Sequence, residues 1–78
     1  MIVTIHPTIS RIIRIDIDKP KEATRLADFI DDNSENLEVT QVVIYNKEKQ
    51  AYILVFPKNE ETEAVAELEL IINEFKKK

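Results

Sequence analysis

The 78-residue sequence predicts a two-layer α+β sandwich of order β-α-β-β-α, with a mainly antiparallel sheet and two helices on one face. Three observations carry this. The opening segment alternates apolar and polar residues. Two later segments repeat apolar residues at helical spacing, and two short apolar runs flank the polar turn "NKEKQ". The chain is short enough for one domain over residues 1–78, and a domain of this size is marginally stable unless something reinforces it.

The first element is the least simple. Val3, Ile5, Ile9, Ile13, Ile15 and Ile17 share odd parity, so one alternating register runs from Val3 to Ile17, interrupted by Pro7 and Arg11. A straight strand of that length would reach roughly 50 Å, whereas a chain this short has a radius of gyration of about 12 Å. The segment must therefore bend. A loop "HPT" pairing Ile5 with Ile9 would split it into a hairpin, giving ββαββα, and would keep the shared parity. Alternatively the arm from Met1 to Ile5 adds to a neighbour's sheet edge. The hairpin is preferred, and in either case Pro7 breaks the strand where it has no N–H to donate.

The segment "DKPKEATRLADFIDDN" predicts a helix over 20–32, with Asp18 or Lys19 as cap and Pro20 in the first turn. Ala23, Leu26, Ala27, Phe29 and Ile30 fall on one arc and face the sheet. Asn33 is the expected left-handed exit, the best substitute for a glycine. Strands are predicted over 39–45 and 51–56 as an antiparallel hairpin closed by Pro57. The last segment predicts a helix capped by Asn59, with Glu60, Glu61 and Glu63 in its first turns and Lys76, Lys77 and Lys78 at its end, as the helix dipole favours. The order suggests split-βαβ folds without their usual last strand.

Composition narrows function by exclusion. Glycine is absent, which removes Gly-rich phosphate loops, dinucleotide fingerprints and Gly-flanked nucleophile elbows. Cysteine is absent too, which removes disulfides and thiolate chemistry and suits a reducing compartment. The start "MIVTIHPTI" has no basic leader, and no apolar run reaches the ~20 residues of a membrane span. These features predict a soluble, cytoplasmic chain without membrane contact. Fifteen acidic and 11 basic residues give a net charge of −4 with the basic residues scattered, so nucleic acid is not an expected partner. Tyr45 and Tyr52 flank the turn as base-stacking residues do, but only Lys47 and Lys49 supply nearby positive charge.

Candidate chemistry is thin. His6 is the only histidine and falls in a predicted turn beside Pro7. Asp16 and Asp18 point to one side of a strand, where they could hold a hard cation. "DDNSEN" begins like a calcium loop at Asp31, yet Asn36 and Val42 stand where an EF-hand needs Gly and Glu. No catalytic residue, cofactor or metal is therefore expected.

The surplus of apolar residues is more informative. Tyr52, Leu54 and Phe56 share one strand face while Ala51, Ile53 and Val55 share the other. In the preceding strand Val42 and Ile44 oppose Val39, Val43 and Tyr45. Two helices cover only one face of such a sheet, and the other would expose a contiguous apolar patch. Leu70 also falls off the apolar arc of the second helix. The expected function is a non-enzymatic interaction or regulatory module acting as a homodimer, with Val43, Tyr52, Leu54, Phe56 and Leu70 at the interface, and with another protein as a possible partner. An engineered scaffold without biological activity is the alternative, suggested by the missing Cys, Trp and internal Met and by acidic helix starts with a basic helix end, although idealised designs normally place Gly in turns and helix C-caps. A small acidic-site hydrolase using Asp16, Asp18 and His6 is the remaining one.

Overall fold

A computed structural model of the chain describes residues 1–7, 11–46, 50–59 and 63–77. Six elements follow in order: β1 (Val3–Pro7), β2 (Ile13–Ile17), α1 (Pro20–Asn33), β3 (Leu37–Asn46), β4 (Gln50–Pro57) and α2 (Ala64–Lys76). The opening segment is thus two strands. They pair antiparallel with Val3 opposite Ile17, Ile5 opposite Ile15 and Pro7 opposite Ile13. The hairpin forms within the chain. Its register corrects the predicted one: Ile5 meets Ile15 rather than Ile9, which lies outside the described residues with Thr8 and Ser10.

Partners across a hairpin share a face, so Val3 and Ile5 join Ile13, Ile15 and Ile17 on the core side, as the shared parity requires. The bend is marked by Arg11, whose φ of 70° is the only positive value among the described residues. With no glycine in the chain, an arginine occupies this left-handed conformation. It is held there by contacts with β4: its Nη2 donates to the Pro57 carbonyl at 3.3 Å, and its guanidinium lies 5.3 Å from the centre of the Phe56 ring.

The sheet order is β1-β2-β4-β3 with every neighbouring pair antiparallel. Hence β2 and β3 run parallel with β4 between them, joined by α1: a split βαβ unit. Both helices cover the same face. Ile13, Ile15 and Ile17 of β2 and Ala51, Ile53 and Val55 of β4 are buried with Leu37, against Ala23, Leu26, Ala27 and Ile30 of α1 and Ala64, Leu68, Ile71 and Ile72 of α2. Phe29 and Phe75 meet at 5.4 Å between the helices. The Cα radius of gyration is 11.5 Å.

Helix α1 starts at Pro20 as predicted, while its end and the start of α2 shift. Lys19 is the residue before α1, and the helix extends through Asn33, which is helical rather than left-handed; its Nδ2 donates to the Phe29 carbonyl at 2.8 Å and Ser34 exits in an extended conformation. The second helix begins at Ala64 with Glu63 at the cap position, so Asn59 follows β4 and does not cap it. Glu60, Glu61 and Lys78 lie outside the described residues, as do Lys47 and Lys49 of the β3–β4 turn.

The register of strand β3 shifts twice, between Val39 and Gln41 and between Ile44 and Asn46, so Tyr45 is skipped at the second. Val39 pairs with Val55 and Gln41 with Leu54, so Thr40 is the extra residue. This corrects the predicted facing of Val39: the inserted residue returns it to the core side with Val42, and both pack against the core. No helix among the described residues is long and apolar enough to cross a membrane.

Candidate functional site

The candidate site is the sheet face that carries no helix. Strict alternation along β4 sends Ala51, Ile53 and Val55 into the core and Tyr52, Leu54 and Phe56 to the opposite face, where all three are half-buried. Val43 lies opposite Tyr52 on β3, and Gln41 opposite Leu54. Val43, Tyr52, Leu54 and Phe56 are therefore one contiguous apolar group. Leu70 does not join it. It lies in the helical layer, 69% exposed on α2.

On the β2 side the apolar group is bordered by charge. Asp16 is directly opposite Tyr52 and Arg14 opposite Leu54. Asp16 accepts from Arg14 Nε at 2.8 Å and pairs with His6 Nε2 at 2.9 Å. The Arg14 guanidinium in turn lies 4.3 Å from the Tyr52 ring centre, a cation–π contact. The hydrogen bond to Asp16 raises the arginine's already high pKa. Tyr45 completes this end: its ring is 5.6 Å from Tyr52 and its hydroxyl donates to Gln50 Oε1 at 2.9 Å. On the β3 side, Glu38 is opposite Phe56.

His6 is a strand residue in β1 opposite Arg14, not a turn residue. The sequence offers His6 with Asp16 and Asp18 as one acidic site, and the hairpin register is what brings His6 within 2.9 Å of Asp16. Asp18 lines the same shallow groove as His6 and Asp16, about 360 Å³, with Thr4, Tyr45 and Gln50. Its Oδ1 is engaged, accepting from the Ile2 backbone N–H at 2.7 Å. Among the described residues no three His, Asp or Glu side chains are grouped so as to hold a metal ion. The acidic exit of α1 is structural where it is bonded: Asp31 Oδ1 accepts from Val39 N at 3.3 Å. Ser34 Oγ donates to Glu67 Oε1 at 2.7 Å and accepts from Asn36 N at 3.2 Å.

Comparison with known proteins finds no matching family model, no similar curated protein and no matching solved structure.

Proposed function

We propose that the chain is a non-enzymatic interaction module whose helix-free sheet face is covered by a second copy of itself. The observation that carries this reading is the contiguous group of Val43, Tyr52, Leu54 and Phe56 on a face without a covering layer. The charges around that group favour an identical partner. Arg11 lies over Phe56, and Phe56 is opposite Glu38, so Arg11 and Glu38 stand at one level on opposite sides of β4. A two-fold axis along β4 brings the arginine of each copy toward the glutamate of the other, the self-complementarity that a symmetric dimer requires.

At a strand spacing near 4.8 Å, the four-stranded face measures roughly 20 by 20 Å, so two faces meeting bury about 800 Å² in total, below the size of stable interfaces and in the range of weak, transient ones. The association is accordingly one that dilution reverses. The test is solution mass by light scattering over a concentration series. The native chain should pass from monomer to a multiple, and Leu54→Lys, which places an ammonium in the desolvated centre, should lower the mass while leaving the fold intact. An unchanged mass for Leu54→Lys would rule the face out as an interface.

A further inference from the structure

We propose that the β1 edge is a second self-association surface, on which β1 of another copy adds antiparallel about a two-fold axis at Thr4; the surface is separate from the sheet face, although both assign the same partner. The two edges of the sheet differ. The β3 edge is guarded by the bulge at Thr40 and by Asp31, which binds the Val39 N–H from α1. The β1 edge borders instead on a groove of about 390 Å³ between β1 and α2, lined by Val3, Thr4, Ile5, Glu69, Ile72, Asn73 and Lys76.

The backbone of β1 specifies the register. Asp18 N donates to the Ile2 carbonyl at 3.2 Å, so Ile2 points its carbonyl inward to β2. Alternation along an antiparallel ladder then turns Thr4 and His6 inward and Val3, Ile5 and Pro7 outward. Pro7 thus sits where its missing N–H costs no bond to β2. Pairing about Thr4 sets Val3 against the partner's Ile5, and each exchanges both backbone hydrogen bonds with the other. The register about Ile5 sets Val3 against the partner's Pro7, which has no N–H to give, whereas pairing about Thr4 leaves Pro7 opposite Met1, outside the strand. Opposed residues share a face, so the partner's Val3 and Ile5 point into the helical layer beside Ile72.

The side chains of α2 agree with the same axis. Met1 lines a groove with Phe75 and Lys76, and Val3 to Ile5 line theirs with residues from Glu69 to Lys76, so α2 runs antiparallel to β1. The Ile72–Asn73 step lies midway between Glu69 and Lys76. A two-fold at Thr4, normal to the sheet, keeps both helical layers on one side and lays the two α2 helices antiparallel. Glu69 of each copy then faces the partner's Lys76. Asn73 and Ala66, which follow Glu69 around the helical wheel and are exposed in the single chain, flank this contact.

The test reverses surface charges that the fold does not need. In light-scattering dilution series, Glu69→Lys and Lys76→Glu each place like charges opposite one another twice per pair of copies and should weaken association roughly tenfold or more. The double variant, Glu69→Lys with Lys76→Glu, should restore it. Repeating the series in the Leu54→Lys background separates the two surfaces: loss of face contacts should leave a dimer held through β1, which Glu69→Lys then dissociates. If that background misfolds, the reversals in the otherwise native chain decide. Unchanged mass for both single reversals, no rescue by the double variant, or a folded Leu54→Lys chain that stays monomeric at every concentration would overturn the proposal. An unchanged mass for Leu54→Lys with charge-dependent association would overturn the sheet-face reading alone.

Discussion

Arg11 shows at the scale of one residue how this chain manages without glycine. A left-handed non-glycine residue costs about 1–2 kcal/mol, and here the Pro57 and Phe56 contacts offset that cost. Arg11→Ala and Arg11→Gly lose the same side-chain contacts, so their difference reports the backbone alone. Arg11→Gly should be the more stable by about 1 kcal/mol in urea denaturation; equal stabilities would show that φ is free to relax. Ser34 is the buried polar residue among the described residues, bridging the α1 exit to α2 through Glu67. Ser34→Ala should cost about 1–2 kcal/mol, because Glu67 loses a charge-assisted donor and Asn36 N loses its acceptor. A cost near zero in the same measurement would mean the bridge adds nothing. Neither role was legible in the sequence. A serine reads as a loop residue until the helix behind it is placed, and Arg11 could be marked only as a break in alternation.

At the scale of elements, type and order were legible while registers and ends were not. The shared odd parity of Val3, Ile5, Ile13, Ile15 and Ile17 survives any hairpin of matching parity, so it predicts the face correctly and leaves open which residues meet. Choosing Ile9 as the partner of Ile5 assumed the shortest turn, whereas the structure pairs Ile5 with Ile15. The start of α2 was misplaced for a related reason. Asn59 and the glutamates after it have the chemistry of a helix start, but apolar contact with the core begins only at Ala64 and Leu68, and packing rather than local preference decides where a short helix forms. The bulge at Thr40 is a third case. Alternation places Val39 with Val43 and Tyr45, and one inserted residue is enough to return it to the core. For the candidate site, β4 was legible throughout because it is regular, and Tyr52, Leu54 and Phe56 emerge together as expected. The sequence also offers His6 with Asp16, and the contact between them depends on the hairpin register, which was not legible.

At the scale of the whole molecule, stability and assembly should be coupled. A small core without disulfides holds a reserve of roughly 5 kcal/mol, and each Å² of apolar surface covered by a partner adds about 25 cal/mol before ordering costs. The melting temperature should therefore rise with protein concentration, because unfolding releases separate chains. A reversible melt that stays fixed across a wide dilution series, from a species of monomer mass, would contradict both association surfaces. The proposed axes also predict an open form. One is normal to the sheet at the outer edge of β1 and the other runs along β4 between the two faces, with β2 separating β1 from β4. The axes therefore do not intersect, their combination is a screw, and an assembly that uses both surfaces grows as a filament rather than closing.

The placement of β1 has a topological consequence. Met1 borders the same groove as Phe75 and Lys76, so the beginning of β1 and the end of α2 are spatial neighbours. Carrying β1 from the front of the sequence to its back would leave every strand adjacency unchanged and give the connectivity β-α-β-β-α-β, that of the split-βαβ folds whose last strand the sequence had seemed to lack. The chain is in this sense a circular permutation of that architecture. What the permutation alters is sequence separation: an outer strand that would otherwise pair with β2 from the far end of the chain instead lies next to it in sequence, so its closure is local.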